Sequence, residues 1–179
     1  MKLTPGIYCQ FAKCRALTYE QIEENIKAGM PYVIRLKSDG DMSLPEDQRR
    51  RIHVQDAIRG TLDMPANDQD TVILKATGIP TYHFAHVVDD HLMGITHVVR
   101  GSEYLSSAPK YNLLYEGFGW DIPKYVHCSP VMRDQHNKMS KRHGDPSYED
   151  LIAQGYVTPA VVNYVALLGW SPGGEREIY

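Results

Sequence analysis

Residues 80–103 read Pro80-Thr-Tyr-His-Phe-Ala-His-Val-Val-Asp-Asp-His-Leu-Met-Gly-Ile-Thr-His-Val-Val-Arg-Gly-Ser-Glu103, and the rest of the chain is organised around them. From Thr81 to Leu92 the apolar residues Phe84, Val88 and Leu92 recur every four positions, which predicts a helix laying that face on a sheet. Gly94 supplies a turn, and Ile95 to Val99 is a short apolar run that predicts a strand delivering Arg100, Gly101 and Glu103 at its carboxyl end. Ligands of open α/β sheets bind beyond that end of the strands. The guanidinium of Arg100 is a planar fork suited to a carboxylate. Tyr82 and His86 lie four apart on a neighbouring helix face that is expected to line the cleft. Asp89, Asp90 and His91 are consecutive, so their side chains point about 100 degrees apart and are expected to make separate hydrogen bonds, with no metal assigned.

The partner of this stretch is Lys138-Met-Ser-Lys-Arg142, inside a polar run from Arg133 to Gly144. Two lysines around a serine suit a polyphosphate, held by point charge and hydrogen bonds. Between the two stretches, Ser106, Ser107 and Pro109 open a helix whose core face is expected to be Leu113, Leu114 and Phe118, with Gly119 as its stop. Tyr125 to Ser129 then predicts a strand in which Cys128 packs, and the strand–helix–strand order suits a parallel sheet. Further helices are predicted from Pro146 to Gly155 and from Pro159 through Leu168.

Upstream, Thr18 and Gln21 form a capping box for a helix carrying Ile22 and Ile26 on one face, ended by Gly29 and Pro31. Tyr32 to Leu36 reads as a strand, residues 37–51 as a loop, Ile52–Asp56 and Ile58–Met64 as strands or a hairpin, and Thr71–Leu74 as a strand. The cluster Arg49-Arg50-Arg51 is either a solvated charged turn or a contact for an RNA backbone. Residues 1 to about 78 thus predict a small α+β unit.

With 42% apolar and 23% charged residues among 179, the chain has the balance of an ordinary globular protein and length enough for a core. No apolar run nears the roughly 20 residues that span a bilayer, and no secretory signal opens the chain, so a cytoplasmic protein without membrane contact is expected. Cys9, Cys14 and Cys128 leave one thiol over in any disulfide scheme, which favours reduced thiols. A net charge of −3 does not advertise nucleic-acid binding, although local Lys and Arg patches are enough to hold phosphates.

The pairing of Lys138-Met-Ser-Lys-Arg142 with Pro80-Thr-Tyr-His83 and Val88-Asp-Asp-His-Leu-Met-Gly-Ile-Thr-His-Val-Val-Arg-Gly101 resembles glutamyl-tRNA synthetase, a class I aminoacyl-tRNA synthetase. The block from Pro80 to Gly101 carries the likeness ungapped, and it extends more loosely over almost the whole chain. The resemblance implies an α/β fold, the second half of a class I Rossmann-like catalytic domain (79–130). A small α+β acceptor-end insertion (1–78) precedes it, and the signature loop and the start of a helical stem-contact domain (131–179) follow. In that insertion Asp56-Ala-Ile-Arg-Gly60 resembles an Asp-x-x-Arg-Gly element of the family. The implied reaction joins glutamate to tRNA(Glu) through a glutamyl-adenylate, with ATP and its magnesium as substrate complex. The resemblance assigns Tyr82, His86 and Arg100 to glutamate and Glu103, Lys138, Met139, Ser140, Lys141 and Arg142 to ATP. Lys138 and Lys141 carry the catalysis, and Tyr104 borders the nucleotide. Some relatives hold zinc near the start, but Cys9 and Cys14 lack a second ligand pair and no zinc is expected.

Two features depart from the family pattern. Lys75-Ala-Thr-Gly-Ile-Pro80 replaces a usual Ser-Asp pair with Ala76 and Thr77, and so loses a carboxylate. A His-Ile-Gly-His-type motif and an anticodon-reading domain are missing from the 179 residues, which predicts a fragment inactive or weakly active alone. Two alternatives remain open: a glutamyl-queuosine tRNA synthetase-like enzyme, and a non-catalytic tRNA- or partner-binding paralogue.

Overall fold

The structure is a computed structural model. It describes residues 12–38, 40, 44–171 and 173–179, without the Lys141 side chain; Cys9 lies outside the described residues. The chain forms two compact units, Met1–Val98 with Leu105–Val126, and Val99–Tyr104 with His127–Tyr179.

In the first unit, α1 (Tyr19–Lys27) starts at the capping box of Thr18 and Gln21, whose side chains each accept the other residue's backbone N–H. Ile22 and Ile26 stay exposed, and α1 buries no residue. β1 (Ile34–Leu36) pairs antiparallel with β4 (Thr71–Leu74). A polar knot fixes the segment after β1. The Ser38 N–H donates to Asp70 Oδ1 at 2.9 Å, Arg15 donates to the Ser38 carbonyl at 2.7 Å, and Arg15 Nε lies 3.4 Å from Asp70 Oδ2. The buried Asp70 carboxylate is thereby satisfied, as burial of a charge requires.

β2 (Arg51–Asp56) and β3 (Gly60–Pro65) form an antiparallel hairpin in register from Arg51↔Pro65 to Asp56↔Gly60. Its turn is written in Asp56-Ala-Ile-Arg-Gly60: Asp56 Oδ1 accepts the N–H groups of Ile58 and Arg59, both at 2.9 Å, and Gly60 takes a φ of +73°. The strands order as β3-β2-β6-β5, where β5 is His97–Gly101 and β6 is Lys124–Cys128, and β2 runs parallel to β6. Of the three arginines, Arg51 is paired with Asp63 at 2.5 Å and Arg49 with Asp68 at 3.8 Å.

α2 (Tyr82–Leu92) and α3 (Ala108–Phe118) supply most of the core. Val87, Tyr111, Leu114 and Tyr115 are buried together, flanked by Phe84, Leu36, Ile73 and Trp120. This corrects the Phe84–Val88–Leu92 stripe: Val87 is the buried residue of α2, and Leu92 is 75% exposed. Phe84 does pack on the cluster built by α3, but α2 is turned so that Val87, about 100 degrees round from Val88, takes the buried place and Leu92 swings out. In α3, likewise, Leu114 is buried but Phe118 is exposed, and Tyr111, Asn112 and Tyr115 take the interior places. A second cluster, Val54, Ala108 and Tyr125, is closed by the Tyr125 hydroxyl donating to Asn112 Oδ1 at 3.0 Å. β5 begins two residues later than the apolar run suggests, because the Ile95 N–H donates back to the Asp90 carbonyl at 2.8 Å and serves the end of α2. The strand also runs on to Gly101, so Arg100 is its penultimate residue, at the carboxyl end as expected.

In the second unit, α4 (Tyr148–Ala153) opens with a capping box between Ser147 and Asp150, and α5 (Thr158–Gly169) follows. Asn163 of α5 holds the tail, donating to the Glu177 carbonyl and accepting the Tyr179 N–H, both at 2.7 Å.

Candidate active site

The first unit contributes an aromatic ledge on α2. Thr81 fixes the start of the helix: its N–H donates to the Ile73 carbonyl at 2.8 Å and its hydroxyl to the Val72 carbonyl at 2.9 Å, tying α2 to β4. Tyr82 is 57% exposed, and its ring centroid lies 5.2 Å from that of His86, one turn along. His86 stands edge-on to Tyr111 at 4.3 Å, and its Nδ1 lies 3.2 Å from Asp90 Oδ2. The Tyr111 hydroxyl is hydrogen-bonded to His83 Nδ1 at 3.0 Å. The helix thus presents an accessible phenol beside an imidazole clamped between a buried ring and a carboxylate. Of the three consecutive polar residues, Asp90 serves His86 and His91 stacks on Trp120 at 3.8 Å, so the two diverge as their spacing on a helix requires.

The second unit carries Arg100, Gly101, Glu103, Tyr104 and the Lys138–Arg142 loop. Arg100 Nε donates to Nε2 of the buried His127 at 3.4 Å, a contact that needs the lone pair on that ring nitrogen. On its other side the guanidinium lies 5.3 Å from the centroid of the Tyr104 ring, at cation–π distance. His127 and Tyr104 both help to orient the fork. Glu103 folds back over Gly101, where a Cβ would occupy the space of its carboxylate. Only glycine leaves that space without moving the acid.

The polyphosphate-type loop is built from short-range polar contacts. Met132 and Lys138 pair across a tight hairpin, and the Arg133 N–H donates to the Asn137 carbonyl at 2.8 Å. Asp134 caps the turn by accepting the N–H groups of His136 and Asn137, both at 2.9 Å, and the Asn137 side-chain amide at 3.0 Å. Those donors, the His136 N–H foremost, hold the Asp134 carboxyl below the usual aspartate range. The Met139 N–H then donates to the Val131 carbonyl at 2.9 Å, and the Ser140 N–H donates to Asp145 Oδ2 at 2.8 Å. Ser140 accepts in turn from Arg142 N at 3.3 Å through its hydroxyl and from His143 N at 2.9 Å through its carbonyl. Lys138 and Arg142 are exposed, and the Lys141 side chain lies outside the described residues.

Tyr82 and His86 thus share one helix face, and Arg100, Glu103 and Tyr104 share one strand end and its turn. Sequence reasoning missed His83, Tyr111, His127, Asp134 and Asp145. For His83 and Asp134 a local signal existed, a third ring at helical spacing and an aspartate opening a polar turn. For Tyr111 and His127 none did, since their partners lie 28 and 27 residues away.

Comparison with known proteins gives one answer at every level. The family model described as "tRNA synthetases class I (E and Q), catalytic domain" matches residues 9–179. A glutamate–tRNA ligase of Clostridium novyi is 57% identical over 169 residues, covering 93% of this chain and 33% of the relative. One from Clostridium tetani is 53% identical with the same coverage. Among solved structures, the glutamate–tRNA synthetase of Elizabethkingia anophelis superposes with a TM-score of 0.76 at 36% identity, covering 96% of this chain and 38% of that one. A glutamate tRNA ligase of Elizabethkingia meningosepticum in complex with its amino acid gives a TM-score of 0.75, also at 36% identity. The chain therefore spans about a third of the length of the curated relatives it matches.

Proposed function

We infer the function from one premise: the chain belongs to the family of class I tRNA synthetases for E and Q, and carries catalytic-domain sequence. The reading it supports best is a part of a glutamate–tRNA ligase, which joins glutamate to tRNA(Glu) at the expense of ATP. The observation that carries this reading is the 57% identity to a glutamate–tRNA ligase along 93% of the chain. It favours that activity over a queuosine-directed relative or a non-catalytic binding paralogue.

In this reading the α-carboxylate of glutamate attacks the α-phosphorus of ATP, pyrophosphate leaves, and a ribose hydroxyl of the tRNA end displaces AMP. No enzyme nucleophile is needed, so the residues position substrates and stabilise charge. Arg100, held between His127 and Tyr104, would take a glutamate carboxylate as a bidentate partner, with Tyr82 and His86 supplying the phenol and imidazole that complete recognition. Lys138 and Lys141 would meet the charge that grows on the phosphates, helped by Met139, Ser140 and Arg142 of the same loop, and Glu103 would hold the nucleoside. Magnesium would arrive with ATP. Residues 1–78 would hold the acceptor end, residues 79–130 half of the catalytic fold, and residues 131–179 the loop and the start of the stem contact. Among the described residues no helix is long and apolar enough to cross a membrane, and work in the cytoplasm fits the reading.

Glutamate-dependent exchange of pyrophosphate into ATP tests this reading, measured on the chain alone and on the chain joined to the remaining sequence of the Clostridium novyi relative. The joined protein is expected to exchange with glutamate and to lose the exchange on Arg100→Ala, while the chain alone stays near background. Preference for glutamine, or exchange that survives Arg100→Ala, would overturn it.

A further inference from the structure

The signature five residues are gripped from outside by the side chain of Asp145. Asp145 is 11% exposed at its side chain, and its two oxygens face two different parts of the loop. Oδ2 accepts the backbone N–H of Ser140 at 2.8 Å, while Oδ1 lies 3.8 Å from Arg133 NH1, at the root of the hairpin. Sequence neighbours stiffen the carboxylate itself. Pro146 restricts Asp145 to extended backbone, and Ser147, one residue on, is fixed as the N-cap of α4 by its reciprocal bonds with Asp150. The carboxylate is therefore a bridge: one side is anchored to the start of a helix, the other grips the centre and the root of a loop rich in cations.

We propose that Asp145 is the positioning residue of this loop, setting the Ser140 backbone and the Arg133 guanidinium so that the loop addresses the phosphates of MgATP. The proposal rests on the ATP reading of the loop given above. A carboxylate suits the task for two reasons. Its charge strengthens the bond from the Ser140 N–H, and it offsets the positive charge of Arg133 and of the exposed loop cations Lys138 and Arg142 while no polyanion is present. The ion pair to Arg133 is long and partly exposed, and Arg133 Nε also lies 3.6 Å from Asp134 Oδ2, so the guanidinium is shared by two weak pairs and open to exchange. When a triphosphate arrives, Arg133 can turn to it while Oδ2 keeps its hold on Ser140. Arg133 is then a further cation of the site, delivered by the hairpin and shared between the carboxylates of Asp145 and Asp134.

The test uses the chain joined to the remaining sequence of the Clostridium novyi relative, and two variants of it, Asp145→Ala and Asp145→Asn. Asparagine keeps an oxygen for the Ser140 N–H but removes the charge facing Arg133. Two quantities are read: amide exchange across residues 138–143, and MgATP affinity by titration, with amide exchange in α5 as the control for folding. Asp145→Ala is expected to speed exchange in the loop by about tenfold and to weaken MgATP by about fivefold, leaving α5 unchanged. Asp145→Asn is expected to keep loop exchange within about twofold of the parent, restoring what alanine loses. Unchanged loop exchange in Asp145→Ala would overturn the bridge. Faster exchange with unchanged MgATP affinity would overturn the positioning role and leave a purely structural residue. If MgATP fails to bind the joined parent protein while the loop still loosens in Asp145→Ala, the ATP reading falls and the positioning role with it, a pattern distinct from both others.

Discussion

The α2–α3 pair and the Lys138–Arg142 loop both present side chains assigned to substrates, yet they are held in opposite ways. Val87 and Tyr111 are fully buried, and they fix Tyr82 and His86 through contacts that cross from one helix to another. The loop is held by Asp134 and Asp145 through hydrogen bonds spanning two to five residues, most of them in contact with water. Buried packing is insensitive to salt and pH and gives way only with the unit that contains it. Exposed carboxylate caps are individually small and respond to protons and competing ions. The comparison teaches a division of labour: under the proposed function, amino-acid recognition would rest on a stiff helix pair, while the phosphate loop would keep the freedom to adjust around its ligand.

The sharpest way to break this contrast is Tyr111→Ala. It removes a fully buried ring that meets both His83 and His86 and is expected to cost about 3–5 kcal/mol in a urea unfolding experiment. Tyr111→Phe, which keeps the ring and removes the hydroxyl bonded to His83, is expected to cost about 1 kcal/mol. A small effect of the alanine variant would mean that α2 is not held by packing.

Asn112→Ala comes next. It leaves the Tyr125 hydroxyl buried without its acceptor and is expected to cost about 1–3 kcal/mol by the same measurement. The loop is expected to respond to acid instead. The Asp134 carboxyl is held below its usual range in the folded chain, so its contribution is complete above the ordinary aspartate value and lost as pH falls through the lowered one. Amide exchange at His136 and Asn137, corrected for the intrinsic pH dependence, should rise through that acid window and become flat in Asp134→Ala. Exchange at Val87 should stay constant over the same range. Smallest of all, Arg51→Ala breaks the exposed pair with Asp63 and is expected to shift stability by about 0.5 kcal/mol, a loss that salt erases.

Local signals in the sequence were reliable wherever the physics was local. The Thr18–Gln21 capping box and the stop at Gly119 each depend on residues within a few positions of one another, and each is present, whereas the strand expected from Ile58 starts at Gly60 because Asp56 draws Ile58 and Arg59 into the turn. Helical periodicity was legible as well, but which face it turned inward was not. Leu92 completes a regular stripe and yet lies open, because the burial of α2 is decided by the tyrosines of α3.

By itself the sequence determined the element types, the caps and turns, and the motifs that mark the family, since these follow from backbone chemistry and from side chains a few residues apart. Tertiary structure alone decided that Val87 is the inward residue of α2, that His127 and Tyr104 orient Arg100, and that Tyr111 braces His86. Those choices join residues brought together only by folding, and their free energy comes from burial and contact that no local pattern encodes.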